Sequence, residues 1–309
     1  MTKTHFGKSA LLALCLIFAL TLPAASAEED WDLPTSEPGG DIIIDDLWDT
    51  PCIAEPYDEI YEDSYRSIKI KRIEWDNSVA FIADVQLKDA GDFHAGSAGG
   101  GFDTISVMAQ QAGAVLAINA DDYGTHNYGI IIRDGSRIRA NSTTRHLVAV
   151  LPDGSLEMVG DHSRDNAKAV AERLEKENVM HTFEFGPILV QDGAAVSFPK
   201  SFDVISTRDS RREPRTGIGM IDPLHYVLIV VDGRQPGYSD GISLQSLQSL
   251  FVLLGAANAI NLDGGGSTEM WFQGVILNEP AGGTERELSD CIYFYSTSHK
   301  SGHPFTAGV

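Results

Sequence analysis

Four polar loops hold the residues most able to do chemistry, and we predict that each lies at the end of a β-strand. They are residues 119–124 (NADDYG), 215–217 (RTG), 232–234 (DGR) and 261–268 (NLDGGGST). The last is the most unusual, because its three successive glycines let backbone N–H groups approach an anion or sugar hydroxyls closely. No Lys follows the glycines, so the loop is not a nucleotide phosphate loop. A mobile glycine turn is the alternative interpretation.

Three arginines, Arg215, Arg234 and Arg286, lie at the ends of predicted ordered segments. The planar guanidinium fork matches the oxygens of a phosphate group. Each arginine alone is more typical of a surface ion pair, since the chain has 44 Asp+Glu and only 23 Lys+Arg. As a set that shares loops with Asp232 and Asp263, they indicate a substrate that carries a phosphate.

Residues 237–241 (GYSDG) fit the G-x-S-x-G pattern of a serine hydrolase. That pattern requires the strand to run directly into the turn. Here a loop containing Pro236 separates the preceding strand from Gly237. The pattern therefore does not favour Ser239 as a nucleophile.

The overall charge excludes several classes of partner. The 309 residues carry a formal charge of -21, and such a polyanion repels phosphate backbones and anionic lipid surfaces. We therefore predict no nucleic-acid partner. With 43% hydrophobic residues, the composition is typical of a folded protein.

The amino terminus, residues 1–27, has the three parts of a secretory signal peptide: two lysines, an apolar stretch, and Ala-Ser-Ala before Glu28. A retained membrane anchor is the alternative, but the apolar stretch is shorter than the ~20 residues that cross a bilayer. We expect bacterial export, no stable membrane span after cleavage, and a secreted, extracellular or cell-wall-associated protein. Export leaves Cys52 and Cys291 either paired or as separate buried thiols.

The rest of the chain divides into three predicted parts. Residues 28–64 are rich in Asp, Glu and Pro and predict a solvated acidic leader, whereas residues 297–309 predict a polar tail. Residues 65–296 predict one α+β domain with a largely antiparallel mixed sheet flanked by helices. The predicted helices are 104–112, 165–178 (capped by Asp165) and 243–254 (capped by Ser243). The predicted strands are 65–75, 79–87, 115–119, 128–133, 147–151, 156–159, 183–190, 217–221, 226–231, 257–262, 269–272, 275–277 and 291–295.

The order of several motifs resembles the phosphodiester glycosidase family over about residues 65–295. The motifs are INADDYG with YGIIIRDG, FGPILVQDG, RTGIGMIDPLHY, VVDGR with SDGISL, NLDGGGSTEM, and LNEP followed by ER. Bacterial members usually have Asn-Gly-Asp-Tyr-Tyr at the first motif. Here Ala120 replaces the glycine, and Asp122 stands where an aromatic residue is common.

The resemblance implies an enzyme that hydrolyses a sugar-1-phosphodiester, of the GlcNAc-1-phosphate type, at the sugar side. An oxocarbenium-like transition state needs a carboxylate as nucleophile or as base for water. The catalytic candidates are Asp263, Asp232 and Asp121. Asp263 could instead cap the glycine loop, and Asp232 could belong to an ordinary Asp-Gly turn.

The leaving group of this reaction is a phosphate monoester, so its departure requires stabilisation of negative charge. The predicted substrate-binding residues are Arg215, Arg234, Arg286, Gly264, Gly265, Gly266 and Ser267 for the phosphate, with Asn119, Ser239 and Asn278 for hydroxyls or an acetamido group.

We predict no cofactor and no metal site, with a divalent cation held by Asp121, Asp122 and Asp263 as the alternative. The expected partner is a phosphorylated sugar or polysaccharide of the cell wall or extracellular matrix. Two other functions stay open: a non-catalytic phosphoglycan-binding protein, and a metal-dependent phosphodiesterase that cleaves at phosphorus.

Overall fold

The computed structural model describes residues 56–98, 101–160, 166–198 and 211–295. The predicted signal peptide, most of the predicted leader, Cys52, Asp165 and the predicted tail lie outside these ranges. The described residues all belong to one compact unit. None of the helices in these ranges is long and apolar enough to cross a membrane.

Strands dominate the described part of the chain, and three helices lie between them. The strands are β1 (Glu59–Glu62), β2 (Arg66–Trp75), β3 (Ser78–Leu87), β4 (His94–Ser97), β5 (Ala114–Asn119), β6 (Gly129–Arg133), β7 (Ser136–Asn141), β8 (His146–Val150), β9 (Leu156–Val159), β10 (His181–Phe185), β11 (Ile188–Gln191), β12 (Ala194–Ala195), β13 (Arg215–Asp222), β14 (His225–Val231), β15 (Asn258–Asn261), β16 (Met270–Phe272), β17 (Val275–Ile276) and β18 (Asp290–Tyr295). The helices are α1 (Ile105–Ala112), α2 (Ala167–Lys176) and α3 (Leu244–Leu253).

The largest sheet has eight strands in the order β1-β2-β3-β14-β13-β15-β11-β12. Helix α3 covers one face, where Leu247 and Phe251 pack against Ile82 and Ile229. The other face packs into the main hydrophobic core. Because both faces are covered, the central strands β3 and β14 are nearly continuous apolar runs rather than alternating ones.

The second sheet has five strands in the order β17-β16-β5-β18-β4. Its inner residues, including Ile118, Phe272 and Phe294, share the main core with the eight-stranded sheet, and α1 packs on its outer face. Strand β18 pairs with β5 on one side and β4 on the other. Its Cys291 is a buried free thiol.

Two small sheets complete the fold: β10-β8-β9 and β6-β7. Val148 and Phe183 of the three-stranded sheet enter the main core. Helix α2 packs through Ala171 and Leu174 in a satellite cluster with Ile130 of β6 and Leu147 of β8. These sheets support the loop that follows β5.

The α+β class and its antiparallel character are confirmed, because every strand pairing among the described residues is antiparallel. The strands form four sheets rather than the expected one. The predicted strand 183–190 is two strands, because Gly186 (φ 82°) and Pro187 turn the chain from one sheet into another. Four strands were not predicted: β1, which lies inside the predicted leader, and β4, β7 and β12.

Candidate active site

Three of the four predicted loops meet at Asn119, the last residue of β5. Its amide nitrogen donates to the backbone carbonyl of Asp263 (2.6 Å), and its amide oxygen accepts from the Thr216 hydroxyl (2.7 Å) and the Glu269 N–H (3.1 Å). Asn119 is almost fully buried. The side chain therefore joins the loops to one another and is not turned toward a ligand. Residues 215–217 begin β13 rather than follow a strand.

The glycine loop passes between two of the predicted arginines. A Cβ atom on Gly265 would lie 3.0 Å from Nη2 of Arg234, and one on Gly266 would lie 3.5 Å from Nη1 of Arg286. Gly265 also has a φ of 64°, which favours glycine. A Cβ on Gly264 would lie 2.8 Å from the backbone oxygen of Pro214. The glycines thus allow two guanidinium groups to lie against the loop backbone.

The predicted free amides of this loop are partly used within the protein. Gly265 N–H donates to Pro214 O (2.9 Å), and Ser267 N–H donates to Gly264 O (3.2 Å) as the loop forms a short 3₁₀ turn. The Gly264 N–H acts on the Asp263 carboxyl, whose pKa it lowers against the effect of burial. The loop therefore offers fewer amides to an anion than the sequence suggests, and the arginines beside it become more important.

A pocket of about 230 Å³ opens beside this loop. It brings together Asp121, Asp263, Ser267 and Arg286 from the predicted set. The other lining residues are Phe102, Asp122, Thr125, Glu287, Leu288 and Ser289. Carboxylates, a hydroxyl and a guanidinium in one hollow form the arrangement expected for hydrolysis of a phosphorylated sugar.

The carboxyl of Asp263 has a raised pKa in this pocket. Burial raises the pKa of Asp263 to about 6, and the negative charge of Asp122 acts in the same direction. The Ser267 hydroxyl, the charge of Arg286 and the Gly264 N–H oppose the rise. Because the pKa is about 6, the carboxylate is ionised at neutral pH yet basic enough to accept a proton.

Asp121 is held in a buried cluster with Arg133 and Asp290. The guanidinium lies 2.7 Å from Asp290 and 3.3 Å from Asp121. Burial and the neighbouring Asp121 raise the pKa of Asp290 well above its usual value, against the pull of Arg133. Asp121, Arg133 and Asp290 thus form one buried ionisable cluster, in which Arg133 bridges the two carboxyls. Asp121 also accepts from the N–H groups of Tyr123 (3.0 Å) and Glu184 (3.0 Å).

Asp122 forms an ion pair with Arg145 and a hydrogen bond with His126, whose Nε2 lies 3.0 Å from its Oδ1. Burial alone would raise the pKa of Asp122, but hydrogen bonds from His126 and Arg145 lower it to about 2. Asp121 and Asp122 are thus each bound by an arginine.

In the part of the chain that the structure describes, no three acidic, histidine or cysteine side chains are arranged to hold a metal ion. This geometry disagrees with the alternative prediction of a cation between Asp121, Asp122 and Asp263.

Asp232 occupies a different place from Asp263. It is almost fully buried and accepts from Tyr238 Oη (2.9 Å), Asn278 Nδ2 (2.9 Å) and Glu279 N–H (3.0 Å). Burial raises the pKa of Asp232 above its usual value, and these hydrogen bonds oppose the rise without cancelling it. Its carboxylate therefore organises a loop, and it does not line the pocket beside Asp263.

The predicted ligands Ser239 and Asn278 are also used internally. The Ser239 hydroxyl donates to Asp232 O (2.6 Å) and accepts from Val79 N–H (3.0 Å). Asn278 accepts from Met270 N–H (2.8 Å) in addition to its bond to Asp232. Both side chains are buried, so the structure places them as supports of the loops.

The arginines separate into two kinds. Arg215 is almost fully buried and donates to the backbone oxygens of Ile242 (3.1 Å) and Arg211 (3.0 Å). Arg234 is exposed and pairs with Glu213 (2.5 Å). Arg286 lines the pocket, with Nη1 3.4 Å from the Ser267 hydroxyl. Arg286 is thus the arginine best placed for a phosphate, with Arg234 on the other side of the glycines.

Two larger hollows lie elsewhere. One of about 580 Å³ is lined by the β2–β3 turn and by Tyr238, and one of about 360 Å³ is lined by Gln235, Asn278 and Glu279. Neither contains Asp263 or Arg286 among its lining residues. Size alone therefore does not identify the site, whereas the titratable groups do.

Sequence reasoning gave no role in this site to Glu269 and considered Asp122 only as a cation ligand. Glu269 follows the glycine loop and is fully buried. Burial raises the pKa of Glu269 to about 8, and the charge of Glu285 adds to the rise. The signal available in the sequence was an acid inside the apolar run TEMWF, where a charge is costly unless it is neutralised.

A carboxyl with a raised pKa beside a guanidinium group is an arrangement that a hydrolase can use. A family model described as phosphodiester glycosidase matches residues 112–295, which is more than half of the chain. The chain therefore belongs to the phosphodiester glycosidase family, whose members are hydrolases.

The chain is also similar to a curated protein in sequence and to solved structures in fold. The SPbeta prophage-derived uncharacterized protein YomE of Bacillus subtilis (strain 168) is 30% identical over 197 residues, which cover 62% of this chain and 29% of that protein. This chain thus spans less than a third of that curated relative. The fold is similar to the catalytic domain of zebrafish N-acetylglucosamine-1-phosphodiester alpha-N-acetylglucosaminidase auto-inhibited by its pro-peptide (TM-score 0.59, 18% identity, 78% of this chain and 87% of that one). A hypothetical protein from Synechocystis is also similar in fold (TM-score 0.53, 15% identity, 78% and 64% coverage).

Proposed function

We propose that this protein hydrolyses a sugar-1-phosphodiester at the sugar side, releasing the free sugar and leaving a phosphate monoester on the other alcohol. The observation that carries the proposal is the pocket in which Asp263, with a pKa of about 6, lies beside Arg286 and Ser267. Membership of the phosphodiester glycosidase family supports the same reaction class.

Asp263 is the group that acts at the anomeric carbon. Its carboxylate either attacks that carbon or takes a proton from the attacking water, while the bond from the carbon to the phosphate oxygen breaks. If the carboxylate attacks, water then hydrolyses the glycosyl ester, which releases the sugar and regenerates Asp263. The bonding electrons leave with the phosphate, which becomes a monoester dianion. Such a leaving group needs no strong general acid, and Arg286, with Arg234 across the glycine loop, balances its charge.

The other predicted catalytic residues have supporting roles in this proposal. Asp121, in its buried cluster with Arg133 and Asp290, fixes the loop that forms one wall of the pocket. Asp232 fixes the loop that carries Arg234. Asn119 holds the Asp263 backbone in place.

The substrate we propose is a GlcNAc-1-phosphate diester in a cell-wall or extracellular polysaccharide, met by a secreted protein. Three observations support this choice. Residues 1–27 have the pattern of a signal peptide. The zebrafish structure of similar fold is an N-acetylglucosamine-1-phosphodiester glycosidase. The acidic surface disfavours nucleic acids and anionic membranes as alternative partners.

Incubation with a GlcNAc-1-phosphate diester, such as UDP-GlcNAc, in ¹⁸O-labelled water tests the proposal. Label in the free sugar supports cleavage at the sugar side. Label in the phosphate would contradict the proposal and indicate a phosphodiesterase that cleaves at phosphorus. Saturable binding without turnover would indicate a phosphoglycan-binding protein instead.

A further inference from the structure

Glu269 is a buried acid whose contacts lead directly to the phosphate-binding arginine. Its side chain is fully buried, and its Oε1 accepts the backbone N–H of Arg286 at 2.7 Å. Its Oε2 has no hydrogen-bond partner among the described residues. Its own N–H donates to Asn119, the residue that joins the loops of the site. One side chain therefore ties the end of the glycine loop to the segment that carries Arg286.

Two charged groups act on the Glu269 carboxyl, Glu285 and Arg286. Glu285 accepts the N–H of Ser106 (2.9 Å) at the start of α1, so its carboxylate is fixed nearby. Burial raises the pKa of Glu269 to about 8 and Glu285 adds to the rise, against the N–H and the charge of Arg286. Glu269 is accordingly uncharged at neutral pH.

The charge state of Glu269 matters because Arg286 already shares its pocket with several carboxylates. Its Nη1 lies 3.4 Å from the Ser267 hydroxyl, and the carboxylates of Asp263 and Glu287 line the same pocket. An ionised Glu269 would add a buried negative charge behind the arginine, where solvent screens it poorly. A neutral Glu269 keeps the hydrogen bond to the Arg286 backbone without that charge.

We propose that Glu269 is a positioning residue for phosphate recognition: it fixes Arg286 through its backbone amide and, by staying uncharged, leaves the guanidinium available to the phosphate of the substrate. This inference rests on the proposed function, because it concerns the same pocket. It adds a condition, namely that binding of the sugar phosphate weakens when Glu269 ionises.

The test measures binding of GlcNAc-1-phosphate by calorimetry between pH 7 and 9.5, separately from turnover. The phosphate is a dianion throughout this range, since its second pKa is about 6. We expect the affinity of the wild-type protein to fall about tenfold as the pH rises through 8. Glu269→Gln, which is uncharged and keeps an oxygen acceptor, should bind as tightly as the wild type at pH 7 and lose little affinity at pH 9.5.

Glu172→Gln is the matched control, because it makes the same change of charge at an exposed position of helix α2. It should show the wild-type pH dependence. The inference is overturned if Glu269→Gln keeps the wild-type loss at high pH, or if it folds normally yet has lost binding at pH 7. A wild-type protein that shows this pH-dependent binding but no hydrolysis would support the role of Glu269 and contradict the proposed reaction.

Discussion

Replacement of Asp263 by Asn is the sharpest test of the site. The Asn side chain keeps an oxygen that can accept the Gly264 N–H, so the loop cap is preserved while the charge is lost. If Asp263 acts as nucleophile or base, the rate should fall by about 10²-fold or more. The pKa of about 6 adds a second expectation. Only the ionised form is active, so wild-type turnover should be lost as the pH falls through 6, by about tenfold per unit below it.

The assay is release of free GlcNAc from a GlcNAc-1-phosphate diester, followed as kcat/KM from pH 4.5 to 8. The control is Asp192→Asn in the exposed turn between β11 and β12, which should match the wild-type profile. Circular dichroism and the melting temperature confirm that both variants fold. Near-normal turnover of a folded Asp263→Asn protein would assign Asp263 to loop capping alone and refute the reasoning.

Three further changes test its surroundings. Asp122→Asn removes a charge that raises the pKa of Asp263, so the acidic limb of the pH profile should move to lower pH; an unmoved limb would show that the two carboxyls do not interact. Asp232→Ala leaves several buried donors without an acceptor and should lower the unfolding free energy in urea by about 3 kcal/mol, and an unchanged midpoint would argue against its structural role. Gly264→Ala places a Cβ 2.8 Å from the Pro214 oxygen. It should lower the free energy of unfolding by about 1–3 kcal/mol, which a lower melting temperature would reveal. A variant as stable as the wild type would show that the loop can move aside.

The periodic apolar patterns predicted most of the fold. All three helices were expected, and the hydroxyl of Ser243 caps α3 by accepting the Ser246 N–H (3.0 Å). The missed strands have weak patterns for physical reasons. β7 (SRIRAN) is largely exposed, and β1 (EIYE) pairs with β2 at the edge of its sheet. Few of their side chains are buried, so burial constrains the residue type at few of their positions. These strands form because they pair with a neighbouring strand, and the local sequence of a strand does not show which strand it pairs with.

The site was only partly predictable for a related reason. The motifs singled out Asp263, Ser267 and Arg286, and the structure places these three residues around one pocket. They did not distinguish side chains that face a ligand from side chains that face the protein. Asn119, Asp232 and Asn278 belong to the same motifs, yet their polar atoms form hydrogen bonds with other parts of the protein. Only the three-dimensional contacts reveal this division.

The position of β18 affects when the protein can fold during its synthesis. This strand, residues 290–295, fills the middle of its sheet between β4 and β5, and its first residue belongs to the cluster that holds Asp121. A nascent chain that has not yet reached Asp290 leaves β4 and β5 with open edges and Arg133 short of a partner. The pairing spans about 170 residues between β5 and β18, a separation that slows folding. We expect the pocket to form only after β18 has been synthesised. The enzyme would therefore be inactive while its chain is still incomplete on the ribosome.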